Sequence, residues 1–364
     1  MPSSSTFLNH HLPLAVAAAR KNRVIALLAK DDDESEEILT NNGIAVRYIS
    51  LSRKSCNPSR ILIEAIALRQ ILVHLSPDVV NAINLKAVFV AALAGIGCSW
   101  HTVGTIPGLG YMFTGRSLRQ LFLRSATARG LAFALSRQRH TLIMSNPDDA
   151  SEFINRGVSS SEHIRIVPVP GVNLKMFFPA PEPSDGFRVL LAARMLWSKG
   201  VGDFVAAART LKTIMQDADF VLAGMPDPGN PDSVNVETLE NWKNEGVIRW
   251  VGLCDDMPKL ITSCHVVCLP TWYREGFPRV LVEAMACGRV IITTDVPGCR
   301  EVFAHGECGV KIPPKNPSAL IEALIWLHSN PNARRAMGTD GACVVKENFA
   351  EEIITRAALN CYSK

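Results

Sequence analysis

The chain has 364 residues, a length that suits two domains and is long for one. Apolar residues make up 48% of the sequence and charged residues 20%, a balance typical of a folded globular protein, not of a disordered or fibrous chain. Residues 1–180 carry 19 Lys and Arg against 12 Asp and Glu, whereas residues 181–364 carry 19 against 22. This asymmetry suggests that the first half meets an anionic surface or acceptor.

Two further features of the sequence indicate the cellular environment of the protein. The longest apolar run, 87–100, is shorter than the roughly 20 residues that span a bilayer, so we expect no membrane span. The first eleven residues resemble no signal peptide, so we expect no leader. Several of the ten cysteines lie in apolar runs, which suits buried thiols in a reducing cytosol and argues against a disulfide framework.

In chain order, the first half alternates between short apolar runs and amphipathic segments. After a loop and helix over 6–20, the predicted strands are 23–29, 44–49, 79–83, 99–105, 141–145 and 164–169. The predicted helices between them begin at the acidic run 31–37 and at 147, and span 58–75 and 85–96. Such alternation predicts a doubly wound α/β domain over 1–175.

The alternation restarts after MFFPAPEPSDG, a Pro-rich segment at 176–186 that predicts a linker. The predicted strands that follow are 187–193, 219–224, 247–251, 265–269 and 290–294. The predicted helices are 200–215, 237–245, 256–263, 278–287, 317–329 and 331–348. The sequence thus predicts a second doubly wound domain over 187–348, followed by a last helix within 349–364.

The segment 265–295 (HVVCLPTWYREGFPRVLVEAMACGRVIITTD) concentrates the residues that can carry chemistry. It predicts a strand, a loop, a helix and a second strand, which form a right-handed crossover. Gly276 in the loop lets a ligand approach the backbone, and Pro278 fits the first position of the helix. Loops in this position of a parallel sheet bind ligands.

The start of that helix predicts an anion site between two carboxylates. The N–H groups of Phe277, Arg279 and Val280 point out of the helix, whose dipole favours negative charge there. Glu275 lies just before the helix and Glu283 within it, so we expect both to face the crevice. A nucleotide sugar fits this arrangement, with its diphosphate in the middle and one carboxylate each for the sugar hydroxyls and the ribose diol.

The segment EGFPRVLVEAMACG resembles the Glu-x7-Glu signature of the family 4 retaining glycosyltransferases, which have the two-domain GT-B architecture. The resemblance implies two Rossmann-like domains facing a central cleft, with the last helix crossing back to the first domain. It also implies that Glu275 contacts the transferred sugar and Glu283 the ribose. AARMLWSKG resembles the family segment in which an Arg and a Lys, here Arg194 and Lys199, reach the donor diphosphate, and WVGL at 250–253 falls where the family holds the base.

The first half resembles a subgroup that elongates lipid-linked sugars for capsule, O-antigen or glycan assembly. The similar segments are FLNHHLPLA, SRKSCNPSR, NAINLKA and IPGLGYMFTG. Gly108 and Gly110 in the last of them would give close backbone approach to a sugar or acceptor. His10, where the subgroup keeps a histidine, and Lys86, which suits an acceptor phosphate, are the other acceptor-side candidates; a purely structural role is the alternative for each.

The sequence departs from the family at its start. Family members open with an apolar strand, whereas this sequence begins at FLNHHLPLA, the loop and helix. Because the first strand of a doubly wound sheet is central, we expect a gap beside strand 23–29. Either the start codon is misassigned or the first domain is compromised.

The segment 115–140 predicts a strongly basic helix. It has no acidic residue, its apolar residues recur at roughly helical spacing, and its arginines are Arg116, Arg119, Arg124, Arg129, Arg137 and Arg139. Such a helix can lie on an anionic membrane surface. The alternative is a core helix whose arginines extend to solvent.

These features predict a retaining glycosyltransferase that moves a hexose or N-acetylhexosamine from a nucleotide-diphosphate sugar to a lipid-linked or oligosaccharide acceptor, at the cytoplasmic face of the plasma membrane. Arg194, Lys199 and the helix start would stabilise the leaving diphosphate, while Glu275 holds the sugar. We expect no cofactor and no nucleic acid, and no metal, because Asp217 and Asp219 precede their strand and predict a turn. The alternatives are a nucleotide-sugar 2-epimerase of the same architecture and an inactive nucleotide-binding partner protein.

Overall fold

The computed structural model describes residues 4–29, 34–49, 57–109 and 118–362. The chain divides into two compact units, one of Met1–Pro170 with Glu351–Lys364 and the other of Gly171–Ala350. Each unit is built of helices on parallel strands, and this confirms the predicted fold class of two Rossmann-like α/β domains.

The described part of the first unit contains two parallel ladders. Its strands are β1 (Val24–Leu28), β2 (Ile44–Tyr48), β3 (Val79–Ile83), β4 (His101–Ile106), β5 (His140–Met144) and β6 (Ile164–Ile166). Its helices are α1 (Ser4–Ala19), α2 (Glu34–Asn41), α3 (Pro58–Leu75), α4 (Leu85–Ala94), α5 (Leu118–Leu135) and α6 (Pro147–Asn155). β1 pairs with β2, and β3 to β6 pair in sequence order, but within the described ranges no ladder joins the two groups.

The last helix of the chain, Glu351–Asn360, packs on the first unit. Its Ile354 and Ala358 lie in a buried cluster with Val103 of β4 and Leu14 of α1. Just beyond the helix, the Tyr362 hydroxyl accepts a hydrogen bond from the side-chain amide of Asn81, at 2.6 Å. The helix therefore completes the hydrophobic core of a unit that lies almost entirely before it in the sequence.

The strands of the second unit are β7 (Phe187–Ala192), β8 (Ala218–Ala223), β9 (Arg249–Trp250), β10 (Val266–Leu269), β11 (Val290–Thr294) and β12 (Gly309–Ile312). They form one parallel sheet in the order β12-β11-β10-β7-β8-β9. Its helices are α7 (Val201–Lys212), α8 (Val236–Asn244), α9 (Met257–Thr262), α10 (Arg279–Ala286), α11 (Pro317–Ser329) and α12 (Pro331–Val344); the final helix of the chain, Glu351–Asn360, is α13. None of the helices in the described ranges is long and apolar enough to cross a bilayer.

The central strands of this sheet are buried on both faces, as expected for apolar runs in a parallel sheet. Every residue of β10 and β11 is buried, and Val266 aligns with Val189 on one side and Val290 on the other. The strand β12 was not predicted, because a short edge strand with an exposed lysine leaves no apolar run. The predicted helix 331–348 ends at Val344 and continues as a π-turn over Val345–Phe349.

Residues 180–183, within the predicted linker, belong to the second unit, where hydrogen bonds hold them in place. The fully buried guanidinium of Arg289 donates to the carbonyl oxygens of Ala180 and Pro181, at 2.7 and 2.8 Å. Arg334, which is buried, forms two 2.9 Å hydrogen bonds with the Glu182 carboxylate, whose side chain is 9% exposed. Two buried arginines thus hold this Pro-rich segment in place.

Candidate functional site

Two loops meet at the carboxyl edge of the second sheet, after β7 and after β10. The first ends in the 3-10 turn Trp197–Lys199, and Gly200 follows in the left-handed region at φ +77°. A Cβ on Gly200 would collide with the carbonyl oxygen of Pro270, so glycine is required where the two loops approach. The Trp272 N–H donates to the Ser198 carbonyl at 3.0 Å and joins the loops directly.

These loops bring Lys199 and Glu275 into contact. The Lys199 Nζ atom lies 2.6 Å from Glu275 Oε1 and 2.7 Å from Oε2, and the two side chains are only 14% and 10% exposed. The Thr271 hydroxyl lies 3.0 Å from the same Oε1 atom. A largely buried ion pair with additional hydrogen bonds fixes both side chains in position.

A third loop, after β11, fixes the backbone of Glu275. The Glu275 N–H donates to the Pro297 carbonyl at 3.1 Å. Gly298 has φ +85°, and a Cβ there would collide with the carbonyl groups of Glu275 and Gly276. The loop after β11 therefore fixes the backbone of Glu275 through this hydrogen bond and this close packing.

The helix α10 begins one residue later than predicted. Pro278 has an extended conformation, with ψ 101°, and occupies the N-cap instead of the first helical position. Arg279 and Val280 are therefore the first two residues of the helix. Arg279 Nε donates to Glu283 Oε1 at 2.8 Å, one turn further along the helix. Burial raises the pKa of the Glu283 carboxyl, and the positive charge of Arg279 opposes that rise. Phe277 packs on the Phe349 ring, with the ring centroids 5.1 Å apart.

Arg194 pairs with Asp227, which no sequence pattern singled out. Arg194 Nη1 lies 2.6 Å from Asp227 Oδ2, and the two side chains are 61% and 36% exposed. An ion pair so exposed to water contributes little stability. The guanidinium can therefore exchange Asp227 for another anion at low cost.

The loop 225–234, after β8, supports the turn that carries Lys199. Asp232 accepts hydrogen bonds from the N–H and the hydroxyl of Ser198, and its own carbonyl accepts from the Trp197 N–H. Asp227 and Asp232 lie in the loop after β8, which is the neighbour of β7, so the loops after both strands leave the same edge of the sheet. The position of the two acidic residues just after a predicted strand is therefore the signal in the sequence that could have identified them. Pairing partners within that edge are not encoded by sequence spacing.

The predicted base region lies beyond this loop, at the ends of β8 and β9. The Trp250 indole N–H donates to the Gly224 carbonyl at 2.9 Å, and the Gly224 N–H donates to the Gly252 carbonyl at 2.6 Å. Leu253, which follows, is 76% exposed. Backbone groups and one apolar side chain thus line this corner.

The acceptor-side candidates all belong to the first unit. His10 lies on α1, with its ring centroid 6.3 Å from that of His11. Lys86, on α4, pairs with the buried carboxylate of Glu64 on α3, Nζ to Oε2 3.0 Å. Gly108 follows β4, and Gly110 lies outside the described residues. The structure thus gives Lys86 a structural partner, and the acceptor role of these residues stays a prediction.

The two acidic residues at β8 were expected to precede the strand and form a turn. This is correct for Asp217 and wrong for Asp219, which lies within β8 and forms an ion pair with Arg249 of β9 at 2.9 Å. Among the residues that the structure describes, no group of three or more His, Cys, Asp and Glu side chains is placed to hold a metal ion.

Two regions of the sequence match family models. Residues 2–146 match the model Glycosyl transferase 4-like, and residues 173–342 match Glycosyl transferases group 1. Together the two matches cover most of the chain, with the second spanning the whole of the site at the sheet edge.

A curated relative covers nearly the whole chain. The N,N'-diacetylbacillosaminyl-diphospho-undecaprenol alpha-1,3-N-acetylgalactosaminyltransferase of Campylobacter jejuni is 28% identical, over 95% of this chain and 92% of its own length. Anabaena Alr3699/HepE, solved in complex with UDP, has a TM-score of 0.78 at 19% identity, over 97% of this chain and 95% of its own. Sucrose-phosphate synthase from Thermosynechococcus elongatus has a TM-score of 0.77 at 20% identity, over 99% and 93%. At these identities the solved structures show a shared fold.

Proposed function

Because the chain belongs to the glycosyltransferases, with a 4-like first domain and a group 1 second domain in the GT-B fold, we propose that it transfers a hexose or N-acetylhexosamine from a nucleotide-diphosphate sugar to a lipid-linked saccharide. The acceptor proposal follows the Campylobacter relative, whose name describes transfer to a diphospho-undecaprenol-linked sugar. The donor proposal follows the solved relative that holds UDP, and UDP sugars are therefore the first donors to test.

The observation that supports this function best is the buried pair of Lys199 and Glu275. A lysine and a carboxylate at the carboxyl edge of a parallel sheet can serve the two halves of one ligand, the anionic diphosphate and the hydroxyl-bearing sugar. The start of α10 adds a dipole that favours the same anion, and Arg194 adds a second cation from the loop after β7. Glu283, one turn into α10, is the proposed partner of the ribose hydroxyls.

The proposed chemistry is transfer with retention of the anomeric configuration. The acceptor hydroxyl attacks the anomeric carbon on the face that the diphosphate leaves. As the bond between the anomeric carbon and the diphosphate oxygen breaks, charge develops on that oxygen, where Lys199, Arg194 and the helix start would stabilise it. The departing diphosphate takes the proton of the hydroxyl that forms the new bond. Glu275 would position the sugar, since its charge is already compensated by Lys199 and this makes it a poor nucleophile.

We propose further that the first unit rests on the cytoplasmic face of an anionic membrane. Helix α5 exposes Phe122, Phe133 and Arg129, and Arg137, in the turn after the helix ends at Leu135, is exposed as well. The predicted helix over 115–140 therefore ends before its last two arginines. This mixture of aromatic and basic side chains suits the lipid interface. Arg124 of the same helix is buried, so the alternative interpretation, a helix packed into the core, applies at that position. Arg116 lies outside the described residues, as does the side chain of Arg119.

Helix α3 adds an apolar surface to the same unit. α4 packs against both α3 and α5, so the three helices form one layer. The exposed apolar side chains of α3 are Leu62, Ile63, Ile66 and Val73. An apolar surface in the same layer as a basic helix supports peripheral binding to a bilayer that contains anionic lipid.

The test is an assay of the purified chain with UDP-N-acetylgalactosamine, UDP-N-acetylglucosamine and UDP-glucose, with and without undecaprenyl-diphosphate-linked saccharides. We expect release of UDP that depends on both donor and acceptor, and a product whose new linkage NMR shows to have the donor's anomeric configuration. Inversion would contradict the proposed chemistry. Release of an epimerised nucleotide sugar without acceptor would identify a 2-epimerase instead, and tight UDP binding without turnover or hydrolysis would identify an inactive partner protein.

A further inference from the structure

Thr271 is a fully buried polar residue next to the proposed donor site. It lies two residues beyond the end of β10, and its side chain has no exposure to solvent. Its backbone carbonyl accepts a hydrogen bond from the Thr294 hydroxyl at the end of β11, and its own hydroxyl accepts one from the Tyr273 N–H at 3.1 Å. A β-branched side chain has few χ1 rotamers, and these hydrogen bonds to the carbonyl and to the hydroxyl restrict Thr271 to one of them.

The Thr271 hydroxyl touches both halves of the site. Its oxygen lies 2.9 Å from the carbonyl oxygen of Ser198, next to Lys199, and 3.0 Å from Glu275 Oε1. A hydroxyl has a single proton to donate, so only one of these contacts is a hydrogen bond at any moment.

The charges decide where that proton points. Each acceptor already has one donor, the Trp272 N–H for the Ser198 carbonyl and the Lys199 ammonium for Glu275 Oε1. Glu275 Oε1, however, belongs to a carboxylate, and hydrogen bonds to an ionised acceptor are about twice as strong as neutral ones. Donation to Ser198 would also turn the lone pairs of the hydroxyl toward an anionic oxygen. The hydroxyl therefore donates to Glu275.

We propose that Thr271 is a positioning residue for Glu275. This inference rests on the proposed function, in which Glu275 meets the transferred sugar and Lys199 the diphosphate. Lysine is a flexible donor, and part of its hydrogen bonding moves to the diphosphate when the donor sugar binds. Thr271 is bound to rigid strand ends and does not move, so it keeps the Glu275 carboxylate oriented while Lys199 changes partner.

The experiment compares Thr271→Val, which removes the hydroxyl at nearly constant shape, with Thr271→Ser, which keeps it. With UDP-N-acetylgalactosamine as donor, we expect Thr271→Val to lower kcat/KM by about 10- to 100-fold, the range for a hydrogen bond to a charged group. Thr271→Ser should restore it to within about threefold, and binding of UDP alone, which has no sugar, should change less than about threefold in either variant. Thr293→Val is the matched control, because Thr293 is equally buried at the same sheet edge but donates to the Leu269 carbonyl.

A double-mutant cycle separates positioning from a general structural role. In a Glu275→Gln background, Thr271→Val should cause less than about a threefold further loss, since the two residues act through one contact. An equal loss in both backgrounds, or a serine variant no better than the valine variant, would overturn the inference. If Thr271→Val does not fold, Thr271→Ala takes its place in the same cycle. Should Glu275→Gln itself keep wild-type turnover, the proposed function fails; should it lose turnover while Thr271→Val does not, only the role of Thr271 fails.

Discussion

Lys199 and Glu275 lie 76 positions apart in the sequence and meet as a buried ion pair, with Lys199 Nζ 2.6 Å from Glu275 Oε1. They come from loops that follow neighbouring strands, β7 and β10, and each loop is fixed by the other. In the proposed reaction these two side chains bind different parts of one donor molecule. The pair is therefore both a structural contact and a pre-arranged binding site, and substitutions can separate the two roles.

The first prediction concerns the Lys199→Met variant. It leaves the buried Glu275 carboxylate without its cation, so we expect the free energy of unfolding in urea to fall by about 3 to 5 kcal/mol. It also removes the cation that is proposed to bind the diphosphate, and UDP binding measured by calorimetry should therefore weaken by about 2 to 5 kcal/mol.

The double variant Lys199→Met with Glu275→Gln distinguishes these effects. Because no uncompensated charge remains, it should regain stability to within about 1 kcal/mol of the wild type, while UDP binding stays weak. The control is Lys243→Met, which breaks the exposed pair with Glu240 and should change stability by less than about 1 kcal/mol. Normal UDP affinity in Lys199→Met would refute the proposed contact with the diphosphate.

The second prediction concerns Asp227, which under the proposed function competes with the donor for Arg194. The Asp227→Asn variant removes a carboxylate that lies 2.6 Å from the guanidinium, so UDP affinity should rise by up to about fivefold, the scale of an exposed ion pair. Arg194→Met should weaken UDP binding. Glu245→Gln, which breaks the similarly exposed pair with Arg209 away from the site, should have no effect on affinity. If Asp227→Asn weakens binding as much as Arg194→Met does, Asp227 supports the loop and does not compete.

Much of the fold was accessible from the sequence because local signals agreed with the tertiary structure. The helices over 58–75 and 317–329 were predicted to the residue, because an Asn-Pro pair marks the start of each. The asparagine is the N-cap, and its side chain accepts the N–H of Ser59 or of Ala319, while the proline takes the first helical position. The edge strand β12 and the π-turn after Val344 were missed, because both depend on packing against neighbours and not on periodicity.

The site was accessible only in part. Strand ends predicted which residues share the sheet edge, and the structure places Arg194, Lys199 and Glu275 there. The partners of those residues were not predicted: Thr271 looked like an ordinary loop residue, and Asp227 lies in a loop without any apolar pattern. Hydrogen-bond partners follow from how loops fold over one another, which no spacing in the chain reports.

The third prediction concerns stability at acidic pH and His265. Burial lowers the pKa of His265, whose Nδ1 accepts the Arg188 N–H at 3.0 Å, a contact that only the neutral ring can make. Below the unfolded pKa of 6.5, the unfolded chain binds a proton that the folded chain does not, so the free energy of unfolding falls as the pH drops from 6.5 toward the lowered folded value. Burial lowers the pKa of His101 and His140 as well, and both add to this trend.

Urea unfolding of the wild type between pH 7.5 and 5 measures this slope. The His265→Asn variant should be less stable at neutral pH but should show a shallower decline, because one titrating group is gone. His74→Asn, at an exposed position on α3, is the control and should keep the wild-type slope. An unchanged slope in His265→Asn would show that the acid sensitivity originates elsewhere.

The fourth prediction concerns the basic surface formed by Arg129 of α5 and by Arg137 in the turn that follows it. Sedimentation with vesicles should show binding that increases with the fraction of anionic lipid, and each arginine near the surface should contribute about 1 kcal/mol. The double variant Arg129→Gln with Arg137→Gln should therefore bind anionic vesicles about 30-fold more weakly. Arg209→Gln with Lys212→Gln makes the same change of charge on α7 of the second unit and should bind like the wild type. Equal binding to neutral and anionic vesicles would refute the electrostatic contribution of α5, and equal weakening in both double variants would show that net charge, not this helix, governs the attraction.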